Sequence, residues 1–505
     1  MNQLASSEMV IATAILLTLY ATLILFFVVR GALKIKSISD YAVGNIAFSP
    51  VAVGLSLAAS MTSAATFIIN PGFVALYGIS GFLSMGIVLP LAALFSLYFL
   101  TKGFRKHGQT VKAHTMAQWM GSMFKSQTYS VFFGFLSLLL ITFIILIVVG
   151  LTKVISSSLN VEELYVMIGL VVFIFGYMMF GGANSMVYTN ALQAGLMLIV
   201  AVALLGSGYE HFAGGIKGFL GKLTAIDPAL AKPTNPDSFL FRDYFEIIFC
   251  QIVVGIAIVC QPHIITKSLL LKNDSDVKKY LWVGLSAELL FFFVVFAGLY
   301  ARITFPDLTI NGSAMNVDSI MSAFVVSEFP VYVSIILVLG LISAGLSTLE
   351  GLIQSLSTTI TSDILKPLLG AKLIEGNPSA KLNREVIINR FVIVGLAIVT
   401  GFLCYDQLIN PNLSVGIFAQ NGVYAYFSAA FVPVLVGTFM RNAVPLIVPV
   451  ASSITAVIVH FSIYYGGLTS YMQGPVRNPG IAAAIAILAS VVVGLIFYFI
   501  TKKRN

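Results

Sequence analysis

Residues 56–73 read SLAASMTSAATFIINPGF and lie within one apolar stretch, 50–77, long enough to cross a lipid bilayer. Small and hydroxyl residues fill its centre, and Asn70-Pro71-Gly72 follows towards its end. A second apolar stretch, 244–266, contains QIVVGIAIVCQPHIIT at 251–266. A proline in such a stretch can simply kink a membrane helix. The alternative is a discontinuous helix whose freed carbonyl groups coordinate an ion.

The two interrupted stretches occupy corresponding positions in the chain. Each begins a run of five apolar spans, over 50–210 and 244–438. Paired interruptions in two halves are typical of transporters built from inverted repeats, with the binding site near the bilayer midplane. The pattern therefore predicts a transporter of this architecture.

The composition identifies lipid as the solvent of this chain. Of 505 residues, 58% are hydrophobic and 10% charged, and the mean hydropathy is +0.98. Soluble domains carry about 25% charged residues. Inside a bilayer each span must be helical, because exposed backbone groups find no water partner there. We predict an all-α integral membrane protein with about thirteen spans: 8–30, 50–77, 81–101, 128–155, 163–181, 187–210, 244–266, 280–304, 329–364, 386–406, 414–438, 443–466 and 480–500.

The basic residues predict the orientation in the membrane. With the amino terminus outside, 21 of the 28 lysines and arginines, among them Arg105 and Lys267, fall between spans on one side, and 7 fall on the other. The richer side is cytoplasmic by the positive-inside rule, which also places the carboxyl terminus inside. This distribution explains the net charge of +8 without a nucleic-acid partner. The compact loops favour a bacterial inner membrane, and no obligate protein partner is indicated.

The span 329–364 contains SIILVLGLISAGLSTLEGLIQSLSTTITSDI at 334–364. Ala344, Ser347 and Thr348 stand at i, i+3 and i+4 and so share one helical face. A carbonyl and two hydroxyls there offer hard, neutral oxygen ligands that suit a monovalent ion, whereas a divalent ion prefers carboxylates. Close packing of small residues against a neighbouring helix explains the pattern equally well.

Several short motifs along the chain resemble the sodium/solute symporter family, which includes proline, pantothenate, sialic acid and sodium/glucose carriers. The resemblance runs from Ser39 to about residue 440. The motifs occur in the family's order: Ser39-Asp40-Tyr41 with Gly44, Pro71-Gly72 with Tyr77-Gly78, Gly181-Gly182 with Thr189-Asn190 and Gln193, Gln261-Pro262-His263, and Ala344 to Thr348 with Thr361 and Asp363.

The resemblance implies a five-plus-five inverted-repeat core of the leucine-transporter type, with one extra helix before it and two after it. The chain then divides into a first helix and loop (1–49), a first repeat (50–210), an outer loop (211–243), a second repeat (244–440) and two peripheral helices (441–505). The resemblance also implies a sodium site between the first and eighth core helices. Its ligands are the carbonyls of Ala59, Thr62 and Ala344 and the hydroxyls of Ser347 and Thr348.

Two departures from the family bear on the coupling ion. Many members have an aspartate at the position of Asn190, and the proline carrier has another at the position of Met61. Their absence leaves the implied sodium site intact but speaks against more than one sodium per solute. Sodium is the expected coupling ion and the proton its rival, because Glu350 is an intramembrane carboxylate. Glu350 and Asn190 are candidates for an ion relay.

The implied substrate pocket lies between the interrupted helices. Its candidate residues are Ala65, Thr66, Val254, Ile258, Gln420 and Asn421. This set is too apolar for a sugar, whose buried hydroxyls all need partners. It also lacks the aromatic residues of the proline carrier.

The pantothenate and monocarboxylate branch fits better, because it shares Phe67-Ile68, Leu89-Pro90 and Asp227-Pro228. We expect sodium-coupled symport of a small organic anion, whose carboxylate the freed amides of a broken helix would hold.

The sequence gives less support to other classes of protein. An enzyme needs a convergent set of catalytic groups, but the five histidines are scattered and neither HExxH nor GxSxG occurs. A channel usually shows a repeated filter element, and none is visible. The alternatives that stay open are a proton-coupled or amino-acid symporter of the same fold and a transporter-like nutrient sensor.

Overall fold

The computed structural model describes residues 5–310, 312–370, 383–410, 414–440 and 444–502. Within these ranges the chain is almost entirely helical. Ten helices are long and apolar enough to cross a membrane: Ser7–Ala32, Ile79–Thr110, Gln127–Leu159, Ala183–Phe212, Asp276–Thr304, Val331–Leu369, Arg384–Ile409, Val415–Phe439, Ile447–Gly466 and Pro479–Lys502. Two further spans are bent pairs of helices, which raises the number to twelve in the described part of the chain.

The predicted spans agree with these helices to within a few residues at most ends. The predicted span 163–181 is the sixteen-residue helix Glu163–Met178, which is apolar but shorter than the others. The apolar helix Val317–Ser327 was not predicted, because its eleven residues are too few to cross a bilayer.

Shorter elements connect the spans. Helices Ile38–Val43, Met116–Met123 and Gly215–Ile226 lie between them, and strands Thr309–Ile310 and Ser313–Ala314 form a small antiparallel hairpin. The predicted outer loop 211–243 therefore contains a helix, whose Phe219 and Leu223 are buried. The three cysteines, Cys250, Cys260 and Cys404, are buried free thiols.

The first broken helix consists of Pro50–Met61 and Ala65–Tyr77, which meet at an angle of 54°. Ser49 caps its start by accepting a hydrogen bond from the backbone of Ala52, and Pro50 takes the first helical position. The break falls in the hydroxyl-rich centre of the segment, where Thr62 is extended.

Pro71 does not interrupt this helix, because it lies in the first turn of the helical segment Asn70–Tyr77, just after a wide turn at Ala65–Ile69. Gly72 allows close packing there, since a Cβ at this position would overlap the carbonyl group of Val317.

The second broken helix consists of Phe245–Ile258 and Pro262–Leu270, which meet at 58°. Gln261 is extended at the break, as expected of a residue before proline, and Pro262 begins the second half. Both predicted discontinuous helices are therefore present.

Helix Val331–Leu369, here called the hydroxyl helix, lies at the centre of the protein. Its side chains are buried almost continuously from Leu337 to Thr359. Ser347 contacts the first broken helix, and Glu350 contacts helix Ala183–Phe212. A helix that is buried on all sides places its polar residues where they must bond to one another.

Two basic residues counted as loop residues in the orientation prediction are instead buried. Arg105 is 1% exposed and donates to the carbonyl of Leu271 at 3.0 Å, beside the carboxylate of Asp274. Lys267 is 3% exposed and donates to Ser56 Oγ at 3.0 Å. Arg105 lies on helix Ile79–Thr110 and Lys267 on the second half of the second broken helix, so both belong to helices and not to connecting loops.

Candidate ion and solute site

Five oxygen atoms converge where the first broken helix meets the hydroxyl helix. Ser347 Oγ lies 2.6 Å from the carbonyl oxygen of Ala59 and 3.0 Å from that of Ala344. Thr348 Oγ1 lies 3.3 Å from the carbonyl oxygen of Thr62 and 3.4 Å from those of Ala59 and Ala344. The five residues predicted as sodium ligands thus form one compact cluster, here called the oxygen cage.

The helix break explains why the cage carbonyls are available. The last four carbonyl groups of a helix have no partner within it. Thr62 ends helix Pro50–Met61 and bonds back to Ala58, so the carbonyls of Ala59, Ser60 and Thr62 follow the last helical bond. After the break the amides of Thr66 and Phe67 bond to Ser63 instead.

The donor set of the cage fits a monovalent cation. It contains three carbonyl and two hydroxyl oxygens, all neutral, and no carboxylate among the five. Calcium and magnesium sites normally include carboxylates, and soft transition metals prefer nitrogen or sulfur. A neutral oxygen set holds an ion weakly enough to release it, which carriers require.

Glu288 is a buried carboxylate beside the cage that the sequence analysis did not select. It accepts a hydrogen bond from Thr62 Oγ1 at 2.7 Å, and its other oxygen is buried without a hydrogen-bond partner in the described structure. The side chain is fully buried on helix Asp276–Thr304. An intramembrane carboxylate is a functional candidate by default, and this general signal would have identified it from the sequence.

The two relay candidates, Glu350 and Asn190, contact each other. Glu350 accepts hydrogen bonds from Tyr177 at 2.6 Å and Thr189 at 2.9 Å. We assign the Asn190 amide with its nitrogen 2.9 Å from Glu350 and its oxygen 3.2 Å from Lys267. In the opposite orientation the amide oxygen would face other hydrogen-bond acceptors, and the nitrogen would face donors. Glu350 is fully buried, so its span does not reach water at this depth.

A cleft lies between the two broken helices. Four of the predicted substrate residues line it: Ala65, Thr66, Ile258 and Gln420.

The other two predicted substrate residues do not line the cleft. Val254 is fully buried on helix Phe245–Ile258. Asn421 faces helix Ile447–Gly466, where it bonds to Tyr465 at 2.9 Å and to His460 at 3.0 Å.

Polar groups missed by the sequence analysis also line the cleft. They are Ser63, Asn70, Gln251, Gln261 and His263, and the oxygens of Asn70, Gln251 and Gln261 have no hydrogen-bond partner in the described structure. Both ring nitrogens of His263 are likewise unpartnered. The lining is mainly apolar with a few neutral polar groups, which is typical of a site that orients a small ligand.

Known proteins of one family match this chain along most of its length. Residues 41–444 match the model of the sodium:solute symporter family. The sodium/pantothenate symporter of Haemophilus influenzae is 25% identical over 77% of this chain and 78% of its own. That of Escherichia coli is 25% identical over 80% of both chains. The mouse sodium/myo-inositol cotransporter 2 is 24% identical over 71% of this chain and 55% of its own.

Solved structures show the same fold. A Na⁺-coupled sialic acid symporter, in a substrate-bound outward-open state, superposes with a TM-score of 0.75 at 18% identity over 97% of both chains. The manganese transporter of Eremococcus coleocola is more distant, with a TM-score of 0.52 at 11% identity over 93% of this chain and 96% of its own.

Proposed function

Because this chain belongs to the sodium:solute symporter family, we propose that it carries a small organic anion, such as pantothenate or a monocarboxylate, together with sodium by alternating access. The chain is an integral membrane protein for sodium-coupled transport of a small solute. The proposed role involves no covalent change to the solute.

The oxygen cage is the observation that carries the proposed sodium site. Sodium would be held by the carbonyls of Ala59, Thr62 and Ala344 and by the hydroxyls of Ser347 and Thr348. These residues lie on two elements separated by 282 or more positions in sequence, yet their oxygens come within 2.6–3.4 Å of one another. The rival coupling ion, the proton, requires no such set of neutral oxygens.

Sodium couples to the solute through the first broken helix. Bound sodium bridges that helix and the hydroxyl helix, and so stabilises one arrangement of the two. The cleft begins immediately after the cage, since Thr62 belongs to the cage and Ser63 lines the cleft. A ligand shifts a conformational equilibrium only by its difference in affinity for the two states. Sodium binding therefore raises the affinity for the solute.

The proposed solute carries a carboxylate because of how the first broken helix meets the cleft. Helix Ala65–Tyr77 begins at the cleft, with Ala65 and Thr66 in the lining. The amino-terminal end of a helix favours negative charge, as in transporters whose broken helices hold a substrate carboxylate. The side chains of Gln251 and Gln261 would bond to the polar remainder of the solute, with Gln420 beside them.

The relatives support the same solute class. The two sodium/pantothenate symporters each match more than three quarters of this chain. Pantothenate combines a carboxylate with amide and hydroxyl groups, which suits a cleft that has several neutral polar side chains.

The proposed orientation places the amino terminus outside and the carboxyl terminus in the cytoplasm of a bacterial cell. It rests on the excess of lysine and arginine between spans on one side.

Uptake by the reconstituted protein tests the proposal. Purified protein in liposomes would be given labelled pantothenate, acetate, pyruvate, lactate or proline, each with an inward sodium gradient, an inward proton gradient or neither. Accumulation of a carboxylate only with sodium supports the proposal. Accumulation with protons alone contradicts sodium coupling, and accumulation of proline alone contradicts the solute class. Solute binding without uptake favours the nutrient sensor.

A further inference from the structure

A lysine and a glutamate are buried together inside the helical bundle, and Ser60 connects their surroundings to the oxygen cage. Glu350 is 1% exposed and Lys267 is 3% exposed. They lie on different elements, since Glu350 belongs to the hydroxyl helix and Lys267 to the second broken helix. The proposed function assigns no role to Lys267.

Asn190 connects the two charges. Its amide nitrogen lies 2.9 Å from Glu350 Oε2 and its amide oxygen 3.2 Å from Lys267 Nζ. Lys267 also donates to Ser56 Oγ at 3.0 Å. Tyr177 donates to the other oxygen of Glu350. The carboxylate and the ammonium are therefore separated by a single amide group and are bonded by residues of three other helices.

The same network touches the cage. The Asn190 amide oxygen accepts a hydrogen bond from Ser60 Oγ at 3.1 Å, and the Ser60 carbonyl lies 3.2 Å from Thr348 Oγ1. Ser60 thus contributes its side chain to the Lys267–Asn190–Glu350 network and its carbonyl to the edge of the cage. A charge in the network is felt at the sodium site, because electrostatic interactions are weakly screened in a buried environment.

Burial makes the two charges depend on each other. Burying a carboxylate inside a membrane protein costs free energy unless a cation compensates its charge. Removing one partner of a buried ion pair therefore leaves the other charge uncompensated. The ammonium of lysine is a compact, strongly hydrated point charge on a flexible stem, and so resembles a small cation more closely than a guanidinium does. A carboxylate left without its partner either takes up a proton or binds another cation, and in a sodium-coupled carrier the metal cation available at this depth is sodium.

We propose that Lys267 is a tethered cation that occupies the place of a second coupling ion. Its ammonium compensates Glu350 through Asn190, so the carrier moves one sodium ion per solute instead of two. This inference rests on the proposed sodium site at the cage. It further requires that removal of the lysine charge creates a second sodium site at Glu350.

The number of sodium ions bound by purified full-length protein tests this inference. Thermal unfolding would be followed at increasing sodium chloride, with choline chloride holding the ionic strength constant. Because a ligand that binds only the folded state stabilises it according to its concentration, the dependence on sodium reports the number of ions bound. We expect about one ion for the wild type, about two for Lys267→Met, and about one again for Lys267→Met combined with Glu350→Gln.

Lys153→Met is the matched control for the loss of a lysine charge. Lys153 forms an ion pair with Glu163 at 3.2 Å, between helices Gln127–Leu159 and Glu163–Met178. This variant is expected to bind about one sodium ion, as the wild type does.

Each outcome tests either the tethered-cation inference or the proposed function. A folded Lys267→Met protein that still binds one sodium ion overturns the tethered-cation inference and leaves the proposed function standing. A wild type without any sodium stabilisation contradicts the cage and hence the proposed function. If Lys267→Met does not fold, the double variant is expected to fold and bind one ion, and its failure to do so overturns the inference.

Discussion

Removal of one hydroxyl from the oxygen cage is expected to weaken sodium binding and, through it, solute uptake. Ser347→Ala deletes a single oxygen from a fully buried position and leaves the helix intact, since alanine is the best helix former. The sodium concentration that gives half-maximal uptake should rise.

The size of the effect follows from what the hydroxyl contacts. An interaction between a hydroxyl and a charged group is worth about 1.5–3 kcal/mol. The sodium-free protein also loses an interaction, because Ser347 Oγ lies 2.6 Å from the carbonyl oxygen of Ala59, and a hydrogen bond of this kind is worth about 1 kcal/mol. The difference of about 0.5–2 kcal/mol corresponds to a rise of about 2- to 30-fold in the half-maximal sodium concentration.

The assay is initial uptake into liposomes as a function of external sodium, at saturating and at limiting solute. The apparent solute affinity should fall at low sodium and recover at high sodium, since sodium acts by shifting the conformational equilibrium. Thr348→Val tests the second hydroxyl in the same way with a side chain of similar shape.

Ser343→Ala provides the control on the same helix. Ser343 lies one turn before Ser347 and is also fully buried, but its hydroxyl bonds to Tyr20 and to the carbonyl of Leu339. Its sodium dependence should match the wild type. Unchanged sodium dependence in both Ser347→Ala and Thr348→Val would refute the assignment of the cage.

Three further predictions concern residues around the cage and the cleft. Glu288→Gln is expected to raise the half-maximal sodium concentration about 10- to 100-fold, the usual cost of losing a group that orients a metal ligand; an unchanged sodium titration would exclude that role. Gln420→Ala should raise the KM for the solute, whereas Asn421→Ala should leave the KM close to the wild-type value, because Gln420 lines the cleft and Asn421 bonds to Tyr465. A larger rise in KM for Asn421→Ala than for Gln420→Ala in labelled-solute uptake would contradict this placement. Gly72→Ala should lower the thermal unfolding midpoint and destabilise the protein by about 1–3 kcal/mol, since its Cβ would overlap the carbonyl of Val317; an unchanged midpoint would show that this contact relaxes freely.

The residues of the cage were predictable to different degrees. Ala344, Ser347 and Thr348 share a helical face by their spacing alone, so their proximity follows from the sequence. Ala59 and Thr62 were assigned only through the family resemblance, because a sequence does not show which carbonyls a helix break will free. The break itself was predicted, and the structure places it at the hydroxyl-rich centre of the segment, whereas a wide helical turn accommodates Pro71.

The substrate residues show a different limit. Gln420 and Asn421 are neighbours in sequence, and adjacent helical residues point about 100° apart. Both are amides in an apolar helix, so composition does not distinguish the one that faces the cleft from the one that faces Tyr465. That choice depends on how helix Val415–Phe439 is rotated against its neighbours.

The sequence by itself determined that this is a helical membrane protein, where its two broken helices lie and which helix carries a hydroxyl face. These features follow from hydropathy and helical periodicity, which are local properties of the chain. Only the tertiary structure decided which buried charges meet. Glu288 bonds to Thr62 across 226 positions, and Lys267 reaches Ser56 across 211. Such contacts depend on the packing of whole helices, and no local pattern encodes the distance between them.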